Sequence, residues 1–221
     1  MAKSKSTTSK ALSRDGFIEA YMNYVLEHEK TPASVFKFCK ELKSSEEQFY
    51  GFFGSFDGLR QAIWNSFFDH TVKLLEKNKD YAQFANREKM LSFYFTFFEL
   101  LTANRSYVLY TLGESRDVMK NLSELKGLRK HIKEFASELI EEANDNRSNR
   151  LLKQPVPVFS EGAWLQTLFI MKFWMEDNSP SFEKTDLVIE KSVRAIFDLF
   201  DNTPLESVLD FGKFLWKEQM N

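Results

Sequence analysis

The sequence predicts an all-α fold, with long helices around an aromatic-rich interior. Three observations carry this: apolar residues recur at steps of three and four over most of the chain, no run alternates apolar with polar as a half-buried strand would, and 23 Phe stand beside only 8 Gly and 5 Pro. The 221 residues are 28% charged and 43% apolar, with 30 Lys+Arg against 32 Asp+Glu and a net charge of -2. Such a chain can bury a core large enough to offset chain entropy, which excludes a wholly disordered protein. The lone Cys39 excludes an intramolecular disulfide framework and a zinc ribbon, and fits a reducing, cytoplasmic setting. The opening run MAKSKSTTSKALSR is charged with no apolar stretch after it, so it reads as neither secretory signal nor membrane span. The greasiest stretch, 164–175, contains Gln166 and Lys172 and is too short to cross a bilayer.

Taken in order, Lys3, Lys5, Lys10 and Arg14, with no acid among them, form a flexible basic arm. Phe17, Ala20, Tyr21, Tyr24 and Val25 then predict a helix over 13–28. Thr31-Pro32 reads as a cap followed by proline at the first helical position, opening a second helix with Val35, Phe36 and Cys39 inward. After a turn at 42–44, Ser45-Glu46-Glu47-Gln48 is a capping-box pattern that starts a third short helix, with Phe49, Phe52 and Phe53 on one side and Gly54-Ser55 at its end. Longer helices follow over 59–77, 87–103 and 122–142, with a short one at 107–112. The segment 144–154 is polar, and Pro155 with Pro157 predicts an extended loop. Two strong helices follow over 162–176 and 182–202. Thr203-Pro204 then opens a final amphipathic helix carrying Leu205, Val208, Leu209, Leu215 and Trp216.

Three short helices of these lengths, the last two joined by a tight turn, have the dimensions of a helix-turn-helix unit whose third helix enters the major groove. Phe17, Tyr21, Val35, Phe36, Phe49 and Phe53 supply its small core. Cys39 fills a gap in it as a small hydrophobe.

The run from Leu42 to Ser55, followed by Phe56-Asp57-Gly58-Leu59, resembles the recognition helix and following turn of the tetracycline-repressor family, with Tyr50 ahead of Phe53-Gly54-Ser55 and Leu59 opening a long helix. The resemblance implies DNA binding by residues 1–56, and a helical body over 57–221 that dimerises and binds an effector. It implies double-stranded DNA as a partner, with contacts from Arg14, Ser34, Lys43, Ser45, Gln48 and Tyr50, and no cofactor. Glu46, Glu47 and Phe56 depart from the family pattern, which usually has Lys or small residues at the first two and often Lys at the third. Acids there suit the helix dipole but not a phosphate. Over 31–62, Lys37, Lys40, Lys43 and Arg60 are cancelled by Glu41, Glu46, Glu47 and Asp57.

In the body, Phe93, Phe95, Phe97 and Phe98 cannot all face one way, since neighbours on a helix are about 100° apart. The larger reading is an aromatic core with a dimer interface formed by the helices at 162–176 and 182–202. The functional one is an apolar pocket lined by Phe93, Phe97, Leu101, Phe135, Trp164 and Phe169 for an apolar small-molecule effector. The terminal helix, with Phe211, Phe214 and Trp216 beside Lys213 and Lys217, could dock on the body, swap onto a partner or lie at a membrane surface. That helix and the acidic recognition helix also resemble the lipid-binding proteins of ubiquinone biosynthesis, which share this fold without DNA recognition. A lipid- or isoprenoid-binding accessory role is therefore the alternative. His28, His70 and His131 are scattered, and no phosphate loop, di-iron Glu-x-x-His pair or nucleophile elbow occurs, so the sequence predicts neither enzyme nor metal site.

Overall fold

The computed structural model describes residues 12–114, 123–145 and 153–202. Among them are nine α-helices and no strand: α1 (Arg14–His28), α2 (Val35–Glu41), α3 (Glu46–Phe52), α4 (Phe56–Glu76), α5 (Asn86–Ala103), α6 (Arg105–Glu114), α7 (Lys126–Asp145), α8 (Val156–Glu176) and α9 (Glu183–Asn202). The arm residues Lys3, Lys5 and Lys10 and the helix expected from 203 lie outside the described residues. No helix among the described residues is long and apolar enough to cross a membrane.

Among the helix starts that differ from the sequence expectation, those of α2 and α8 show why. The cap of α2 is Ser34, whose Oγ accepts from Lys37 N at 3.2 Å, while Thr31 and Pro32 stay outside the helix. A hydroxyl three residues before a free N–H satisfies it directly, and proline at the first helical position offers no such bond. Helix α8 begins at Val156, so Pro155 caps it and Pro157 sits in its first turn rather than in an extended loop. The first turn's N–H groups have no intrahelical acceptor, so proline costs nothing there.

The chain packs as two units, Met1–Asp69 with Leu100–Leu128 and His70–Glu99 with Arg129–Asn221. Besides α1 to α3, the first unit takes in most of α4 and all of α6.

In the first unit the core is a cluster of rings. Phe49 meets Phe17 edge-on at 5.7 Å, Phe56 at 5.5 Å and Phe38 at 6.4 Å, and Tyr21 meets Phe38 at 6.1 Å. Each fully buried ring removes enough apolar surface to stabilise by about 1.5–3 kcal/mol. Phe38 takes the place expected for Phe36, which is 58% exposed. The inward side of α2 is centred on the buried Phe38 and Cys39, and Phe36 lies about 110° from that centre. Helix α1 packs on α6. Arg60 of α4 donates to Glu124 at 2.7 Å and to the Tyr21 hydroxyl at 3.3 Å, and also binds Asp57.

The second unit is tied by buried polar bonds between helices. The Tyr94 hydroxyl of α5 donates to Ala163 O of α8 at 2.9 Å and lies 3.3 Å from Thr167 Oγ1, and burial pushes its phenol pKa well up. Asn144 near the end of α7 exchanges two bonds with the Gln154 backbone, at 2.9 and 2.7 Å, closing the approach to α8. Glu161 of α8 binds Lys133 and Arg129 of α7, which hold its carboxyl below the usual range. Between α8 and α9, Asp177 accepts from Ser179 N and Oγ and from Thr185 N and Oγ1 at 2.7–2.9 Å.

Candidate nucleic-acid interface

Helix α3 is held by its own inner side. Phe49 and Phe53 are 0% and 4% exposed, which forces Glu47, Tyr50 and Gly51 outward, and Tyr50 is 53% exposed. Its first turn is capped as the sequence predicts, with Ser45 Oγ accepting from Gln48 N at 3.2 Å. The reciprocal arm of the box is absent. Gln48 Oε1 does not return to the Ser45 backbone, but accepts from Ser44 Oγ at 2.8 Å and from Leu12 N at 3.4 Å. Gln48 thereby pins the residue where the basic arm joins α1, a role that depends on two groups the capping-box pattern does not include.

The turn between α2 and α3 runs through Lys43 in the left-handed region, φ 55°, closed by Ser44 N donating to Cys39 O at 2.9 Å. Lys43 is exposed there. Arg14 comes to the same region: its guanidinium lies over the Phe53 ring at 5.9 Å and pairs with Asp15 at 3.6 Å. Ser34 and Ser45 both spend an acceptor lone pair on capping and keep a hydroxyl hydrogen to give. The six residues singled out for DNA therefore lie around α2 and α3 in one unit, and each has an N–H or O–H to offer.

Charge around them is lower than the lysine count suggests. Arg60, one of the four bases over 31–62, is only 14% exposed and is committed to Glu124 and Asp57. Glu47 is exposed beside Tyr50, and Phe52 is 47% exposed.

The residues singled out for an effector divide. Phe93 stacks on Phe97 at 5.6 Å and on Phe135 at 4.7 Å, and Trp164 is 5% exposed, all within the second unit. Leu101 is buried but belongs to the first unit. Phe169 is 56% exposed and faces away from any interior. It shares an outer side of α8 with Leu165, 63% exposed, and with Gly162, around whose Cβ position there is open space. Neighbouring α9 exposes Leu187 and Leu199, each 51%.

The sequence model of the family described as tetracyclin repressor-like, C-terminal domain, matches residues 89–215, more than half of the chain. The chain belongs to the tetracycline-repressor-like family. In this repressor-like chain the match takes in α6 to α9 and nearly all of α5, and begins after the ring-packed head. Neither a curated protein nor a solved structure matches it. Among the described residues no group of His, Cys, Asp or Glu is arranged to hold a metal ion.

Proposed function

We propose that this repressor-like chain is a non-enzymatic transcriptional regulator, a homodimer that grips operator DNA with residues 1–56 and senses an apolar small molecule with the helical body over 57–221. The observation that carries the reading is the presentation of α3. Its aromatic side faces the core, so its other side, with the Tyr50 hydroxyl, is free to enter a major groove. Ser34, Lys43, Ser45, Gln48 and Tyr50 donate to phosphates and base edges, and Arg14 joins them with the basic arm. Two copies meet through the outer sides of α8 and α9, where Leu165, Phe169, Leu187 and Leu199 are exposed. The effector site is the aromatic interior built by Phe93, Phe97, Phe135 and Trp164, and Phe169 passes from that site to the dimer surface.

The test is selection from a random duplex library by the purified full chain at 150 mM salt. Enrichment of a two-fold-symmetric site, its half-sites about 34–36 Å apart, supports the reading. A second reading, a lipid- or isoprenoid-binding accessory protein, is favoured by the head's cancelled charge and by the exposed Phe36 and Phe52. It predicts no enrichment and lipid carried through purification.

A further inference from the structure

We infer that Gln48 is a donor-only reader of the major groove, which commits each half-site to guanine rather than adenine beneath it. The inference rests on the DNA-binding reading above and adds the base that this side chain selects.

The argument begins with which end of the amide is free. Leu12 N can only donate, so the Gln48 atom it meets at 3.4 Å is the carbonyl oxygen, and this fixes the orientation of the amide. Ser44 Oγ, at 2.8 Å, gives its hydrogen to the same oxygen. Both lone pairs of Oε1 are thereby used inside the head. The amide nitrogen has no hydrogen-bond partner among the described residues, and its two hydrogens remain to be given.

A glutamine that reads adenine needs both ends of its amide, the nitrogen donating to N7 and the oxygen accepting from the N6 amino group. Here the oxygen is taken. Turning it toward a base would break its bonds to Leu12 and Ser44 and release the junction of arm and α1. Guanine makes no such demand, because its N7 and O6 are both acceptors and the amide nitrogen can give one hydrogen to each. Cytosine, which offers a donor in this groove, is refused.

The test starts from the operator that the full chain selects. The expected site has a guanine in each half-site at a position where Gln48→Ala abolishes the preference. Replacing that guanine by 7-deazaguanine removes N7 alone and should weaken binding of the unmodified protein about tenfold, a readout that needs no variant to fold. Ser44→Ala returns a lone pair to Oε1, and should raise acceptance of adenine at that position relative to guanine. Selection of adenine at the Gln48-dependent position, or a guanine indifferent to loss of N7, would overturn the inference and leave the regulator reading standing. Failure of the protein to select any duplex would overturn both.

Discussion

Arg60 and Glu124, 64 residues apart, form a nearly buried ion pair in which Nε donates to Oε1 at 2.7 Å, with side chains 14% and 8% exposed. Removing Glu124 leaves the nearly buried guanidinium with only the exposed Asp57 as counter-charge. Glu124→Ala should lower unfolding free energy by about 3 kcal/mol, whereas Arg60→Met with Glu124→Leu, which leaves no orphaned charge at Glu124, should lose less than half of that. Urea titration followed by circular dichroism measures both. Equal losses would mean that the pair matters by packing alone.

Lys43 is held at φ 55°, a region that costs an L-residue about 1–2 kcal/mol and glycine much less. Lys43→Gly should therefore stabilise the head by about 0.5–1 kcal/mol and at the same time weaken DNA binding at every sequence by a few-fold, since a phosphate contact is lost. Melting curves and binding titrations at two salt concentrations check the opposite signs. Unchanged DNA affinity would reduce Lys43 to a turn residue.

Asp177 should make the protein acid-sensitive in a defined window. Burial alone would raise its pKa, but the bonds from Ser179 and Thr185 hold it down at about 2. A carboxyl whose folded pKa lies below its unfolded value contributes stability above the ordinary value near 4 and loses it as pH falls toward 2. Asp177→Asn should lower Tm by several degrees at pH 7, with the gap to the unmodified protein narrowing between about pH 4 and pH 2. A constant gap would contradict the assignment.

The outer side of α8 should be buried against a second copy. Leu165→Glu with Phe169→Glu places two charges where two exposed apolar groups stood, and should weaken the dimer at least about a hundredfold while leaving helicity unchanged. Sedimentation equilibrium reads this directly. A monomeric unmodified protein would send the exposed Leu165 and Phe169 to some other partner.

Much of this architecture was legible in the chain because local chemistry decided it. Ser13 and Ser45 cap α1 and α3 where a serine precedes a free N–H by three residues, and of the apolar stripe Leu125, Leu128, Ile132, Phe135 and Leu139 all but the half-buried Phe135 are buried as their spacing requires. The misreadings came where two local rules competed. Thr31-Pro32 and Ser34 both offer a start for α2, and the hydroxyl with an N–H in reach prevails. Pro155 and Pro157 look like breakers, yet sit where a helix has no bond to lose. Long-range pairing was not legible at all. Nothing near Gln48 in sequence signals Leu12 as its partner, and nothing in the periodicity of α4 marks Arg60 as a buried base rather than a DNA-facing one.

Amide hydrogen exchange of the full chain, with and without its selected duplex, tests the central claim most directly. Segments containing Ser34–Lys37 and Ser45–Gly51 should exchange more slowly in the complex, while α8 stays unchanged. Identical exchange across α3 with DNA bound would place the contact elsewhere and contradict the assignment of this helix as the reader.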